Sequence, residues 1–374
     1  SECRLAAGLD QIWPLIKGMH SSAQFYILPL SACRSNYYLC NSNHLFLDDC
    51  LFQIMKRVSM LWRLKQTVVY LSLVTLVGTV SLTGGIADDP EIRTAFDAKR
   101  SFDYLTRICR LKSRISGSPG MAAQQKLILD HFKELKAKVQ FQSFDAPHPI
   151  TGNPVRMNNM IVSWNPDAKK RILLACHYDT RPFPDRDRNN PRGLFIGAND
   201  GGSGVAFLME LGNVMPTLKV SHGYGVDFVF FDGEELVYRQ NDPYFLGSKY
   251  FAEQYKNEPR EFEYVYGVLL DMIADRNLGI YMEKNSLKYA PQLTHSIWDA
   301  ARKTGVREFF AQAKYEIRDD HLPLNEIAGI PTCDIIDFDY PAWHTTRDIP
   351  RYCSGASLEK VGTVLIYWLQ NLPE

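Results

Sequence analysis

Acidic side chains and histidines recur in this sequence at points where an apolar stretch ends or a helical pattern begins. Such apolar stretches have the composition of strands that are buried on both faces of a parallel sheet. In these sheets, the side chains that carry out chemistry lie beyond the carboxyl ends of the strands. The polar residues at these points are His177, Asp179, Asp200, Asp232, Glu234, Glu235, Asp271, Asp319, Asp320, His321 and His344.

Taken singly, each of these residues has a structural explanation. A lone aspartate after a strand usually caps a turn or a helix, and an adjacent pair of glutamates is often simply solvated. Separate structural roles do not explain the whole set, because convergent carboxylates repel one another unless a cation or a proton compensates their charge. Imidazole and carboxylate groups together suit zinc, with one coordination position left open for water or substrate.

Glu234 and Glu235 are adjacent and directly follow an apolar stretch. Successive side chains at the end of a strand point in different directions, so one carboxylate can bind a metal while the other faces a substrate. This arrangement places a general base beside a Lewis acid without using the base as a ligand.

The rest of the sequence supplies the elements that must position these residues. Extended and helical patterns alternate over residues 88–374, which indicates a mostly parallel sheet with helices on both faces. We therefore predict an α/β fold: a single three-layer catalytic domain over residues 88–374, in which the polar stretch 181–192 is a surface loop. The predicted strands are 159–164, 171–176, 226–231, 265–270 and 332–336. The predicted helices are 90–112, 121–137, 204–214, 246–255, 291–304 and 357–372.

Two segments precede this domain. Residues 1–54 show no clear period and no motif, and we expect an upstream artefact of translation or a disordered extension. Residues 55–87 combine a basic patch, the apolar run 67–83 and small residues up to Ala87, which is the order of a secretory signal. An uncleaved membrane anchor is the alternative, although the run is short of the about 20 residues that a spanning helix needs. We expect an exported protein, secreted or periplasmic, that meets a membrane only through such an anchor.

Charge and cysteine content narrow the classes further. The chain has 42 Lys+Arg and 42 Asp+Glu residues, so it lacks the general basic field that holds a nucleic acid. None of its eight cysteines forms a CxxC pair, so a cysteine zinc site is not expected. An exported protein could pair an even number of cysteines, but the spacings favour no pairing. Buried free thiols explain them at least as well.

The motifs HxD, GAND, DGEE, LLD, DDH and WHT follow one another in an order that resembles the zinc-dependent aminopeptidase-like superfamily. The resemblance extends from about Asp88 to the C-terminus. Within that superfamily the sequence looks most similar to animal-type glutaminyl cyclases (glutaminyl-peptide cyclotransferases) and their bacterial relatives. The stretches that carry this likeness are SGSPG at 116–120, ACHYD at 175–179, FDGEE at 231–235, LGS at 246–248, DDHLP at 319–323 and WHT at 343–345.

The resemblance implies how the site residues divide their roles. One zinc ion would be bound by Asp200, Glu235 and His344, and Glu234 would act as the general acid and base. The implied activity is the cyclisation of the N-terminal glutamine of peptides or proteins to pyroglutamate, with release of ammonia. Peptide or protein N-termini would then be the substrates, and no nucleic acid is expected as a partner.

The same resemblance implies the surroundings of the zinc in a cyclase. Asp271 and Asp319 would form a hydrogen-bonded acidic pair with a catalytic role, and Trp343 would wall the substrate pocket. One departure concerns the pocket lining, because the cyclases carry a tryptophan shortly after the paired glutamates. Residues 236–244 of this chain contain tyrosines there instead.

A two-zinc aminopeptidase is the main rival. In that enzyme Asp200 would bridge two zinc ions, His177 and Asp271 would complete the second site, and Glu234 would activate a metal-bound water. The doubled acid of the DDH motif and the tryptophan of the WHT motif favour the cyclase and a single zinc. A third class, a binding ectodomain without catalysis, is disfavoured because every ligand position still carries a residue that can bind a metal.

Overall fold

A computed structural model gives the structure of the protein and describes residues 95–372. The predicted extension 1–54 and the predicted signal or anchor 55–87 lie outside these residues. Within residues 95–372, no helix is both long enough and apolar enough to cross a membrane.

The strands of the described residues form one large sheet and one small one. The strands are β1 (Lys138–Pro147), β2 (Pro154–Trp164), β3 (Lys170–His177), β4 (Gly225–Phe231), β5 (Glu263–Asp271), β6 (Ile280–Met282), β7 (Phe309–Ala313) and β8 (Thr332–Ile336). The large sheet has six strands in the order β1-β2-β4-β3-β5-β8. Neighbours from β4 to β8 are parallel, whereas β1 and β2 extend the β4 edge as antiparallel strands. β6 and β7 pair separately.

Helices cover both faces of the large sheet. They are α1 (Ala98–Arg110), α2 (Pro119–Glu134), α3 (Ser203–Val214), α4 (Leu246–Asn257), α5 (Lys284–Tyr289), α6 (Pro291–Thr304), α7 (His321–Glu326) and α8 (Gly355–Gln370). Along β3, Ile172 and Leu174 belong to a core shared with α1, α2, α3, α6 and α8. Leu173 and Ala175 point to the opposite face and pack with residues of α4 and α7. The predicted three-layer α/β fold with a mostly parallel sheet is confirmed.

Each of the predicted elements is present, with shifts of a few residues at its ends. Of the predicted helix 90–112, residues 90–94 lie outside the described residues, and α1 begins at Ala98, where the Asp97 side chain accepts the backbone N–H of Arg100 and caps it. The strand β1 was missed because only two of its ten residues are buried and half of the ten are polar, so no apolar run reveals it. The short elements β6, β7, α5 and α7 were also missed. The four cysteines of the described residues are buried free thiols: Cys109, Cys176, Cys333 and Cys353.

Candidate active site

The carboxyl ends of the central parallel strands bring the first site residues together. β3 ends at His177, β5 ends at Asp271, and Glu234 and Glu235 follow the end of β4. β3 pairs with both β4 and β5, so these three ends lie side by side. His344 comes from the loop after β8. These five residues therefore meet at one edge of the sheet, where such folds place their active sites. His321 lies apart from them and faces Glu283 and Asp334.

Asp200, Glu235 and His344, the three predicted zinc ligands, lie close together. Nε2 of His344 lies 3.5 Å from Oδ2 of Asp200 and 3.6 Å from Oε2 of Glu235. One ligand atom of each residue lies within 4.8 Å of the other two, and the three residues are buried. Oδ2 of Asp200 has no hydrogen-bond partner, which is costly for a buried carboxylate unless a cation compensates it. The donor set and the unpaired oxygen fit a metal ion.

His177 and Asp271 lie on the other side of the same aspartate. Nε2 of His177 lies 3.2 Å from Oδ1 of Asp200 and 3.4 Å from Oδ1 of Asp271, and these three residues form a second candidate metal group. Burial lowers the pKa of His177, but the carboxylates of Asp179, Asp200 and Asp271 outweigh burial and raise this pKa well above its ordinary value. Asp200 thus faces one histidine with each of its oxygens and belongs to both candidate groups.

Glu234 lies beside the ligand group and outside the Asp200–Glu235–His344 set. Its Oε2 is 4.0 Å from Nδ1 of His177, and a third candidate metal group joins His177, Glu234 and Glu235. Burial, followed by the charges of neighbouring carboxylates, raises the pKa of Glu234 well above its ordinary value, against the opposing effect of His177. A carboxyl group with a raised pKa suits a residue that must accept a proton and then return it.

Asp179, from the HxD motif, holds both glutamates in place. Its two carboxylate oxygens accept the backbone N–H groups of Glu234 and Glu235, at 3.0 and 3.1 Å. Each glutamate backbone is therefore fixed, and the two side chains diverge from an anchored turn. The sequence identified Asp179 as part of a motif but did not indicate this role.

Asp348 performs the same task for Asp200, and the sequence analysis missed it. The Asp348 carboxylate accepts the backbone N–H of Asn199 at 2.8 Å and that of Asp200 at 3.1 Å. The hydroxyl of Tyr340 donates to it at 2.8 Å. The only signal for this role in the sequence is an acid shortly after the WHT motif, which does not reveal a contact with the distant GAND motif.

The backbone lies in the left-handed region at several positions of the site, and Gly201 and His344 are two of them. Gly201 has φ +74°, and a Cβ atom there would lie 2.4 Å from the carbonyl oxygen of Asp179. Only glycine therefore lets the chain turn from Asp200 into α3 so close to the HxD motif. His344 has φ 55°, which is uncommon for a residue with a side chain and is found at functional sites.

Arg181 is a further site residue that the sequence analysis placed wrongly. Residues 181–192 were predicted as a surface loop, but Arg181 is only 3% exposed. Its Nη1 lies 3.0 Å from both Oε2 of Glu235 and Nε2 of His344, and its Nη2 donates to Asp185 at 3.2 Å. The distant carboxylate of Glu235 and the nearby one of Asp185 compensate the charge of the guanidinium, so Arg181 can be buried although the stretch around it is polar. Arg181 therefore reduces the repulsion among the ligand carboxylates.

Acidic residues also cluster behind Asp271. Asp320 accepts the Ser248 hydroxyl at 2.5 Å, and Asp319 accepts the backbone N–H of Asp320 at 2.6 Å. Burial, and then the charge of Asp271, raises the pKa of Asp319 well above its ordinary value. The hydrogen bonds of residues 95–372 include none between Asp271 and Asp319. Such a bond requires a proton on one of the carboxyl groups, and the raised pKa of Asp319 favours a proton there.

Trp343 lies next to the candidate ligand His344. Its ring is half-buried, and the ring centre lies 4.2 Å from that of His344 and 4.6 Å from that of Phe338. Trp343 therefore forms an aromatic surface directly beside one of the candidate metal ligands.

Comparison with known proteins places this arrangement in a family. The sequence pattern of peptidase family M28 matches residues 159–369. The chain belongs to peptidase family M28. This M28 chain is 38% identical to the Fimbriiglobus ruber glutaminyl cyclase, whose crystal structure superposes with a TM-score of 0.72 over 74% of this chain and 96% of that one.

Relatives of this M28 chain carry two kinds of name. The crystal structure of a leucine aminopeptidase precursor from Bacteroides thetaiotaomicron is 30% identical, with a TM-score of 0.69 over 74% of this chain and 98% of that one. The glutaminyl-peptide cyclotransferase of Boiga irregularis is 26% identical over 287 residues, which cover 68% of this chain and 76% of that protein. The resemblance to glutaminyl cyclases and to aminopeptidases is thereby confirmed.

Proposed function

We propose that this M28 protein is a glutaminyl-peptide cyclotransferase, which converts the N-terminal glutamine of peptides or proteins to pyroglutamate and releases ammonia. The observation that carries the proposal is the similarity to the Fimbriiglobus ruber glutaminyl cyclase, at 38% identity over 96% of that chain. The geometry of Glu234, Glu235 and the acids behind them supports it.

The metal in this proposal is zinc, held by Asp200, Glu235 and His344. Two carboxylates and one imidazole, with a fourth position open, are a ligand set of catalytic zinc sites. The unpaired, buried Oδ2 of Asp200 fits the role of a cation ligand. When bound, zinc would supply a Lewis acid for the γ-carbonyl oxygen of the substrate glutamine.

Glu234 moves the proton. The α-amine of the substrate attacks the γ-carbonyl carbon, the new C–N bond closes the ring, and the bond to the amide nitrogen breaks. Glu234 accepts a proton from the attacking amine and donates it to the leaving nitrogen, which departs as ammonia. General acid–base help of this kind contributes roughly 10²–10⁴-fold to the rate.

Asp271 and Asp319 keep a proton between them in this proposal. A shared proton lets the pair donate a hydrogen bond to a substrate group, and it makes the pair a poor site for a second cation. Trp343 provides the apolar wall beside His344 that holds the glutamine side chain and keeps water away from the reacting carbonyl. No water attacks in cyclisation, so such exclusion favours it over hydrolysis.

A two-zinc aminopeptidase remains the second candidate because one observation favours it. His177, Asp200 and Asp271 form a second buried group of metal-ligating atoms that shares Asp200 with the first group. In that enzyme, Glu234 would take a proton from a water molecule rather than from an amine.

Incubation of the purified protein with Gln-peptides and with Leu- or Ala-peptides tests the proposal, when ammonia and free amino acids are followed separately. The cyclase releases ammonia from Gln-peptides and leaves the Leu- and Ala-peptides intact. Free leucine or alanine, released at comparable efficiency, would decide for the aminopeptidase.

We also propose that the enzyme is exported and that the mature chain begins near Asp88. The support is the basic, apolar and small-residue order of residues 55–87, which is typical of a secretory signal. N-terminal sequencing of the native protein from fractionated cells tests this. A mature N-terminus within residues 1–54 would contradict it.

A further inference from the structure

A groove of about 650 Å³ lies beside Trp343, between the loop after β3 and the loop after β8. The first loop contributes residues 186–190 to its lining, and the second contributes residues between 338 and 347. We call it the arginine groove, because Arg186, Arg188 and Arg347 line it. The function proposed above does not use these arginines.

The arginine groove adjoins the candidate active site through Trp343. The guanidinium of Arg186 lies 4.2 Å from the centre of the Trp343 ring, and this centre lies 4.2 Å from that of the His344 ring. The backbone N–H of Arg186 donates to the carbonyl oxygen of His344 at 3.1 Å. A substrate whose first residue lies beside His344 therefore has this groove as the adjacent space for its next residues.

The charges of the three arginines are available to a ligand. All three residues are exposed, and none forms an ion pair with a carboxylate of residues 95–372. Arg186 packs on Trp343, and Arg347 donates to the backbone carbonyl of Pro341 at 3.2 Å. A guanidinium offers a planar fork of donors that matches a carboxylate.

Asp187 is the one acid among the lining residues of the groove, and neutral donors occupy its carboxylate. Oδ1 accepts the backbone N–H groups of Asn189 and Asn190, at 3.0 and 3.1 Å. Oδ2 accepts the backbone N–H of Thr346 at 3.0 Å and also the Thr346 hydroxyl. Asp187 therefore orders the two loops against each other and leaves the arginines unpaired, so the groove carries three positive charges against one negative charge.

We propose that the arginine groove binds the residues that follow the first residue of the substrate and selects acidic side chains there. This inference rests on the proposed function and narrows its substrates to N-terminal glutamine followed by Asp or Glu. The groove does not contact the reacting atoms, so its preference is expected in KM rather than in kcat. Salt should weaken this preference, because exposed ion pairs are screened.

Three amidated peptides test the groove: Gln-Glu-Glu, Gln-Ser-Ser and Gln-Lys-Lys. On the wild-type protein at low salt, we expect KM to be roughly fivefold lower for Gln-Glu-Glu than for Gln-Ser-Ser, and highest for Gln-Lys-Lys. High salt should bring the three values together. Calorimetry on the Glu234→Gln variant measures the affinity for the same three peptides without turnover. We expect the affinities to follow the same order as in wild type.

The double variant Arg188→Glu/Arg347→Glu should reverse the order, with Gln-Lys-Lys preferred. Arg307→Glu is the matched control, since Arg307 is an exposed arginine outside the groove lining, and it should keep the wild-type order. Equal KM values and equal affinities for the three peptides would overturn the proposal that the arginine groove selects acidic residues, while the cyclase proposal would stand. If the affinities follow the predicted order but no peptide releases ammonia, the cyclase proposal would be overturned while the groove proposal would stand.

Discussion

Nε2 of His344 lies 3.6 Å from Oε2 of Glu235, although the two residues belong to loops that follow different strands of the sheet. Both side chains are buried, and Arg181 lies 3.0 Å from each of these two atoms. A carboxylate and an imidazole held this close together, with Asp200 beside them, form a site that a metal ion can complete. In the proposed enzyme Glu235 binds the metal and Glu234 transfers the proton, and substitutions can separate these two roles.

Glu235→Gln should lose zinc. The substitution keeps the size of the side chain but removes the negative charge that a zinc ligand supplies. We expect zinc affinity to fall by more than the about 10- to 100-fold that is typical for losing an outer partner of a metal ligand. Zinc content after dialysis against a weak chelator measures this. Wild-type zinc content in Glu235→Gln would exclude Glu235 as a ligand.

Glu234→Gln is the matched comparison, because it makes the same chemical change one residue earlier. It should keep its zinc and lose roughly 10²–10⁴-fold in kcat, since only the proton acceptor is removed. Zinc content and ammonia release are measured on the same preparation. Loss of zinc together with activity would show that the roles of the two glutamates are inverted.

The protein should bind one zinc ion per chain with high affinity, despite the second candidate group at His177. The reason is the proton that Asp271 and Asp319 share in the proposed enzyme, which a second cation would have to displace. Asp319→Asn imitates the protonated carboxyl and should also bind one zinc. Metal analysis of wild type and variant decides this, and two tightly bound zinc ions per wild-type chain would support the aminopeptidase.

The zinc-free protein should lose thermal stability as the pH rises from about 5 to about 7. Burial raises the pKa of Asp232 and that of Asp337 from 3.8 to about 7. Each carboxyl group therefore holds a proton in the folded protein at pH values where the unfolded chain has released it. Folding therefore takes up protons at pH values between 3.8, the ordinary pKa, and about 7, the pKa in the folded protein. The free energy of unfolding is consequently greater at the acidic end of this range. His131 and His344, whose pKa values burial lowers, act in the opposite direction below their ordinary value of 6.5, but they are two groups against several acids.

Zinc should change this dependence, because its ligands must be deprotonated to bind it. The increase in the melting temperature that zinc causes should therefore grow with pH. Melting curves of chelator-treated protein, with and without added zinc, measure both effects. A melting temperature of the zinc-free protein that rises across the same pH range would contradict the assignment of protonated buried acids.

The sequence revealed the site residues that belong to motifs at strand ends, because a buried parallel strand is a continuous apolar run whose end is easily located. It did not reveal β1, which among the strands of residues 95–372 pairs only with β2 and has only two buried residues out of ten. It also did not reveal Arg181 or Asp348, whose roles depend on contacts with residues far away in the chain. Local composition predicts whether a segment is polar, but long-range ion pairs and hydrogen bonds decide whether a polar residue is buried.

The mass of the product formed from a Gln-peptide tests the central claim most directly. Cyclisation removes one ammonia from the peptide and leaves every peptide bond intact. We therefore predict that the zinc-loaded protein converts a Gln-peptide into a full-length product that lacks one ammonia, at a rate that Glu234→Gln reduces. A product shortened by its first residue, with free glutamine in solution and no full-length pyroglutamyl peptide, would contradict the account.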